Sequence, residues 1–252
     1  MNANVVKLIG LLICIGVVGC NSVRPGDGKP LGKNSSGAVL DPTDEANQLM
    51  SQGKFSEAIK LLTPYVNNMP AGWQSRMETA DKITIHYWDQ EQLTQCFVVD
   101  ALANKKVDAI LGGSYSRAYY MLAFNYLELK DAKKANDNLD SGLALEPDSA
   151  IILGEKGTLY QMTGQPDSAV TFFQKAIDTK GCKSDRDIGK AYRGLGISLI
   201  DLEKLDEAET ALYTSLKYSP DNKIAINELN YIDKLRDGSA KQPISDKLQK
   251  TK

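Results

Sequence analysis

The chain has 252 residues, 42% of them hydrophobic, with 30 Lys+Arg against 32 Asp+Glu and a formal net charge of −2. That balance offers no basic face for nucleic acid, and the apolar content suffices for a sizeable core. His86 is the sole histidine, which excludes a multi-histidine metal site; no GxGxxG, Walker-type or GxSxG motif occurs, so an enzyme is not expected and no cofactor is implied.

Residues 1–19 carry one positive charge, Lys7, then an apolar run from Leu8 to Val18. A transmembrane helix needs about 20 apolar residues, so this layout reads as a signal peptide. It ends in Val17-Val18-Gly19-Cys20, which resembles the bacterial lipobox. That resemblance implies cleavage before Cys20, lipid on Cys20 and attachment to a membrane; Asn21 in the next position implies the outer membrane, facing the periplasm. Residues 20–43 are rich in Gly, Pro, Ser, Asn and Asp and read as a flexible tether, its span roughly 25–30 Å for about 23 residues. With Cys14 in the signal and Cys20 lipidated, Cys96 and Cys182 remain. An oxidising compartment would permit a bridge, but they lie in different units, and two separate thiols are the expectation.

Residues 44–66 read as a weaker, degenerate copy of the helical hairpin that recurs downstream, signalled by Ala46, Leu49, Gly53, Phe55, Ala58 and Leu62, with Pro70 in the turn beyond. Residues 67–115 break the helical pattern. Lys82 to Trp88 alternates like a strand, and Asp89 with Gln92 caps a helix whose apolar face is Leu93, Phe97, Val98, Ala101 and Leu102. Val107 to Leu111 reads as a second strand before Gly112-Gly113-Ser114. This strand–helix–strand insert is expected to cap the solenoid's N-terminal end; a partner-binding module or a small-ligand site is the other reading. His86, on the strand beside Trp88, is expected to be structural.

From residue 116 to 236 the same slots recur. Tyr119, Leu122, Ala123, Tyr126, Ala135, Leu139 and Pro147 are followed one period later by Leu153, Gly157, Tyr160, Ala169 and Phe173. They return as Tyr192, Leu195, Gly196, Leu199, Ala208, Leu212 and Pro220. The last step, Gly157 to Gly196 and Ala169 to Ala208, is longer than the first by the same amount for both helices. A five-residue insertion is thus expected in the turn-rich segment from Lys180 to Asp185. Small residues at fixed slots let paired helices approach while large ones fill the flanks. Asp221 to Arg236 continues as a helix with Ile224, Ile226, Leu229, Ile232 and Leu235 available to cover the last repeat, and residues 237–252 read as a disordered polar tail.

This pattern, with its period of about 34 residues, resembles the tetratricopeptide repeat (TPR). The resemblance implies a mainly all-α solenoid of about four helical hairpins, interrupted by the small irregular insert. In that family the first helices of successive repeats line a face that binds a peptide or partner helix. Carried over by register, the candidates are Arg117, Tyr120, Phe124 and Leu127, then Ile151, Thr158 and Gln161, then Lys190, Arg193 and Ile197. Aromatic and cationic groups together suit a segment with apolar anchors and some acidic character. The paired asparagines of the carboxylate-clamp subgroup are missing here. The implied function is a non-catalytic, lipid-anchored adaptor or scaffold for another envelope protein, as in lipoproteins that support pilus, secretin or outer-membrane assembly. The alternative is an accessory that docks and regulates a cell-wall or envelope hydrolase or protease. Neither the partner nor the oligomeric state is read from the sequence.

Overall fold

The computed structural model describes residues 42–101, 106–181 and 183–240. The expected signal peptide, the expected lipid site Cys20, the expected tether up to residue 41 and the expected tail from 241 lie outside the described residues. Ten helices and a three-stranded sheet follow in order: α1 Pro42–Ser51, α2 Phe55–Asn67, β1 Arg76–Glu78, β2 Lys82–Tyr87, α3 Gln90–Ala101, β3 Lys106–Leu111, α4 Tyr115–Glu128, α5 Ala132–Leu145, α6 Ala150–Met162, α7 Pro166–Asp178, α8 Asp185–Asp201, α9 Leu205–Tyr218 and α10 Lys223–Arg236. The first helix starts two residues before the boundary expected from composition, at Pro42, whose fixed φ suits a helix start. None of these helices is long and apolar enough to cross a membrane.

Four hairpins share one turn. In each, a backbone N–H donates back across the turn to the preceding helix: Lys54 to Leu49, Asp131 to Tyr126, Gln165 to Tyr160 and Lys204 to Leu199, at 2.8–2.9 Å. One residue before each donor the backbone is left-handed, at Gly53, Lys130, Gly164 and Glu203. The weak upstream copy is therefore a full member of the series, although the insert sets Ala58 further from Ala135 than two ordinary periods would.

Close approach explains the small residues. A Cβ on Gly157 would lie 2.8 Å from the Phe173 ring, and one on Gly194 2.3 Å from its tip. Phe173 of α7, 1% exposed, is thus wedged between the first helices α6 and α8. Gly196 meets Leu212 in the same way at 2.6 Å, and Ala135, Ala169 and Ala208 are fully buried at the second-helix slot. In α10, Ala225 and Ile232 are the buried residues, while Ile224 and Ile226 stay 51% and 39% exposed. Of the residues expected to cover the last repeat, Ile232, Leu229 and Leu235 pack on it, joined by Ala225 and Tyr231, while Ile224 and Ile226 do not.

The insert does not cap the stack. Ala46, Ala58, Leu62 and Val66 pack directly on Ala118, Met121 and Leu122 of α4, so the first hairpin continues the solenoid and the insert branches off its side. Its sheet has the order β1-β2-β3, with β1 antiparallel and β3 parallel to β2. The sequence pattern missed β1, which has only three residues, all exposed. Alternation in β2 buries Ile83, Ile85 and Tyr87 against Leu93, Cys96 and Val107. The expected helix cap is present, with Gln92 N donating to Asp89 Oδ1 at 2.8 Å. Phe97, however, is 38% exposed, and the helix faces the sheet through Leu93 and Cys96. Cys96 is disulfide-bonded, against the expectation of separate thiols; the cysteine bonded to it lies outside the described residues.

Trp88 and Arg117 fasten the insert. Trp88 Nε1 donates to Ser116 Oγ at 3.2 Å and to Glu146 Oε2 at 3.1 Å, and Ser116 Oγ donates to Glu146 Oε2 at 2.6 Å. Arg117 Nη1 donates to Trp88 O at 2.7 Å, Thr43 Oγ1 at 3.1 Å and Asp44 Oδ1 at 3.0 Å. One guanidinium therefore ties α1, the insert and α4 together. Glu146 is half-buried as a residue, but its carboxyl group is enclosed, and burial raises its pKa against the hydrogen bonds from Ser116, Trp88 and Ser149.

The packing can be tested at two glycines and one carboxyl group. Gly194→Ala should destabilise the protein by about 1–3 kcal/mol through overpacking against Phe173. Gly154→Ala, where nothing stands within 4 Å of the new Cβ, should stabilise it by about 0.5–1 kcal/mol through lost chain entropy; thermal melts of the two variants should move in opposite directions. For Glu146, whose ordinary value is 4.5, the folded pKa lies above the unfolded one. Its contribution is fully present below the unfolded value and is lost as pH rises through the folded value. Urea midpoints of the native protein should therefore fall relative to Glu146→Gln as pH rises from about 4.5 toward neutral; parallel curves would refute the assignment.

Candidate protein-binding groove

The first helices α4, α6, α8 and α10 follow one another as neighbours, because each hairpin repeats the same Ala or Gly contact. Residues in one slot therefore line up across helices: Tyr120, Gly154 and Arg193 share one, each a full repeat beyond the last. At Gly154, itself buried, the face leaves space, since no atom lies within 4 Å of where a side chain would begin.

Electrostatics divide the face. Glu155, 4% exposed, accepts from Lys190 Nζ at 2.9 Å. Burial opposes the charge on Lys190, but the Glu155 carboxylate and Tyr120 together more than offset it, and the pKa is raised. Tyr120 is held neutral by burial and by Glu155, which push its pKa up. Lys156, 6% exposed, pairs with Asp140 and lies 5.3 Å over the Phe172 ring. Arg193 is different. It is half-buried, burial lowers its pKa, and among the described residues no carboxylate or other acceptor engages its guanidinium. On α6, Gln161 Nε2 is buried without a hydrogen-bond partner among the described residues.

The residues expected in the groove thus separate into two groups. Arg117 is spent on Trp88, Thr43 and Asp44, Leu127 is buried in the core at 6% exposure, and Phe124 meets Phe55 edge-on at 6.4 Å. Tyr120 packs on Trp88 with ring centroids 5.2 Å apart. Arg117 and Leu127 are therefore taken up within the fold and are not groove residues, whereas Tyr120 and Phe124 stay half-buried on the face and make packing contacts there. Lys190 is neutralised by Glu155. Gln161, Arg193 and the half-buried Ile197 remain on the face, along with Ile151 and Thr158 in α6.

What fills the N-terminal end is the insert. Its β2–α3 turn reaches across the starts of the first helices, and Trp88, Asp89 and Gln92 face Ile151, Ser184 and Asp187 across a narrow crevice. Glu91 pairs with Arg186 at 3.1 Å, an exposed contact worth about 0–1 kcal/mol. Arg186 sits in an extra N-terminal turn of α8, which has 17 residues against 13 in α6 and is capped by Ser184 and Asp187. The five-residue insertion is therefore mostly helix, where a loop was expected. Sequence reasoning missed Glu155, Glu146 and Trp88; a glutamate on an otherwise apolar helix stretch, Ile151-Ile152-Leu153-Gly154-Glu155, was the available signal for the first.

Among the described residues no cluster of three or more His, Cys, Asp or Glu side chains could hold a metal ion. His86, half-buried against Trp73 at 5.2 Å, has its pKa lowered by burial, and Nδ1 lacks a partner among the described residues.

No protein-family model matches the chain, and no curated protein matches it significantly. Solved structures do. PilF of Pseudomonas aeruginosa aligns with a TM-score of 0.56 at 13% identity, covering 78% of this chain and 68% of that one. MamA of RS-1 aligns with a TM-score of 0.50 at 14% identity, covering 79% and 87%. The Cut9–Hcn1 hetero-tetramer of the APC/C aligns with a TM-score of 0.53 at 17% identity, covering 78% of this chain and 30% of that one. Shared turns, shared small-residue slots and these alignments agree that the chain has the tetratricopeptide-repeat fold, a mostly helical solenoid carrying a small three-stranded sheet.

Proposed function

We propose that the protein is a non-catalytic adaptor of the bacterial envelope, anchored by lipid on Cys20 to the periplasmic side of the outer membrane, whose repeat face binds a segment of another protein during assembly of a complex. The observation that carries this reading is Arg193. A half-buried guanidinium without a protein acceptor among the described residues, beside the space at Gly154, can exchange its water for the carboxylate or carbonyl of a ligand. Gln161 Nε2 offers a second unused donor, and Ile197 an apolar contact. Together they suit an extended segment with a carboxylate or carbonyl acceptor next to an apolar side chain.

The insert sharpens this reading. Because Trp88 and Tyr120 close the N-terminal end, the usable face runs over α6 and α8 and toward α10, so a bound segment is short. The exposed Ile224 occupies on α10 the slot that Lys190 holds on α8 and provides apolar surface at the far end. Cut9, seen with Hcn1, offers a precedent for such a fold in a complex.

Crosslinked capture from native membranes tests the proposal. Arg193→Glu with Ile197→Asp should keep helical content and lose one or two envelope proteins that the native chain captures. Identical captures from both forms would sink the groove reading and move binding to the insert.

A further inference from the structure

Among the described residues nothing pairs with the outer edge of β3. Its backbone alternates: Lys106 N donates to Asp81 O at 3.3 Å and Gly112 N to Tyr87 O at 2.9 Å, while the parallel register runs from Lys82 with Lys106 to Tyr87 with Leu111. Residues 106, 108, 110 and 112 therefore aim their N–H and C=O groups at β2. Val107, Ala109 and Leu111 aim theirs outward, away from the sheet. This strand has six residues and no proline, and its only charges, Lys106 and Asp108, lie in its first half and pair with each other. Ile110 and Leu111 are 38% and 52% exposed, and Phe97 on the covering helix is 38% exposed. Such an edge is a template for another strand.

We infer that this edge is a homodimer interface, in which β3 pairs antiparallel with β3 of a second copy about a two-fold axis at Ala109 and joins the two sheets into one of six strands. The register follows from hydrogen bonding. Outward residues must oppose outward residues, which also keeps opposed side chains on the same sheet face. Centring on Ala109 pairs Val107 with Leu111 of the copy, and Ala109 with its own counterpart, so every outward group of both strands is used. It places the small side chain at the axis and covers Leu111 with Val107 on the face that carries α3. Centring on Asp108 would instead oppose two carboxylates, and centring on Ile110 would set Val107 against Gly113, past the strand end. Each Asp108 is already paired with Lys82 at 2.9 Å and Lys106 at 3.6 Å, so the chosen register adds no unpaired charge. A second copy is favoured over an unrelated strand because the apolar match is supplied by β3 itself.

Two substitutions in the full chain test this. In the dimer the two Ala109 Cα atoms would lie about 5.5 Å apart, within disulfide reach. Mild oxidation of Ala109→Cys in native membranes should give a covalent dimer on non-reducing gels, whereas Lys106→Cys, offset from the axis, should not. Ala109→Pro removes an outward N–H and leaves the bonds to β2 intact; sedimentation of the chain in detergent should show the native mass halved and the dissociation constant raised at least tenfold, with unchanged circular dichroism. A native chain that sediments as a monomer at about 50 μM, or equal crosslinking of the two cysteine variants, would overturn the inference. If Ala109→Pro unfolds, the cysteine comparison alone decides.

Discussion

The tightest constraint in the molecule is the space around Phe173. Its ring occupies the gap left by two missing side chains, and a methyl group on Gly194 would approach within 2.3 Å of it. Burying one such ring contributes about 1.5–3 kcal/mol, but the geometric effect is larger than that figure suggests. Dense interiors transmit small displacements to their neighbours. Because the ring from α7 separates α6 from α8, it sets the distance between two first helices and so the width of the face that carries Gly154, Arg193 and Ile197. The same device recurs with Leu212 against Gly196, and repetition of one contact is what gives a solenoid its regular spacing.

Two departures from the period meet in space. The first is the insert between Asn67 and Tyr115, which leaves the hairpin before it free to stack on α4. The second is the extra turn at the start of α8. Glu91 and Arg186 join them at 3.1 Å, and Trp88 packs between Tyr120 and the polar cluster of Ser116 and Glu146. The exposed ion pair contributes little energy; the buried contacts at Trp88 and Arg117 carry the attachment. As a result a face that regular repeats would leave open along its whole length is closed at one end.

The repeat was legible because its signal is redundant. Ala135, Ala169 and Ala208 lie in the same register as Ala123, Gly157 and Gly196, and alternation in Lys82 to Trp88 announced a strand with one buried side. What the sequence hid depended on partners distant along the chain. Arg117 looks like a groove cation until Thr43, Asp44 and Trp88 O are placed around it, 74, 73 and 29 residues away. Tyr120 deceives for the same reason, since Trp88 of the insert packs on it; Leu127 sits in a slot that repeat packing itself buries, as it does its equivalent Ile200. β1, three residues long, falls below any periodic signal. The stripe chosen on α10 also depends on which groove of α9 it meets, and that is a matter of packing angle.

Groove and edge strand use no residue in common, and this bears on how the adaptor works. The open part of the face is short, and among the described residues only Arg193 and Gln161 offer unused donors there, so a single segment bound at one face gains few strong contacts. Pairing through β3 places two such faces in one particle. For a client that presents the same segment more than once, the second contact is intramolecular, and apparent affinity rises by about 10²–10⁴ without any new contact. Weak individual sites and a self-complementary edge are therefore mutually consistent: the solenoid supplies recognition, and the insert, which narrows the face at one end, supplies at its outer edge the means of presenting two.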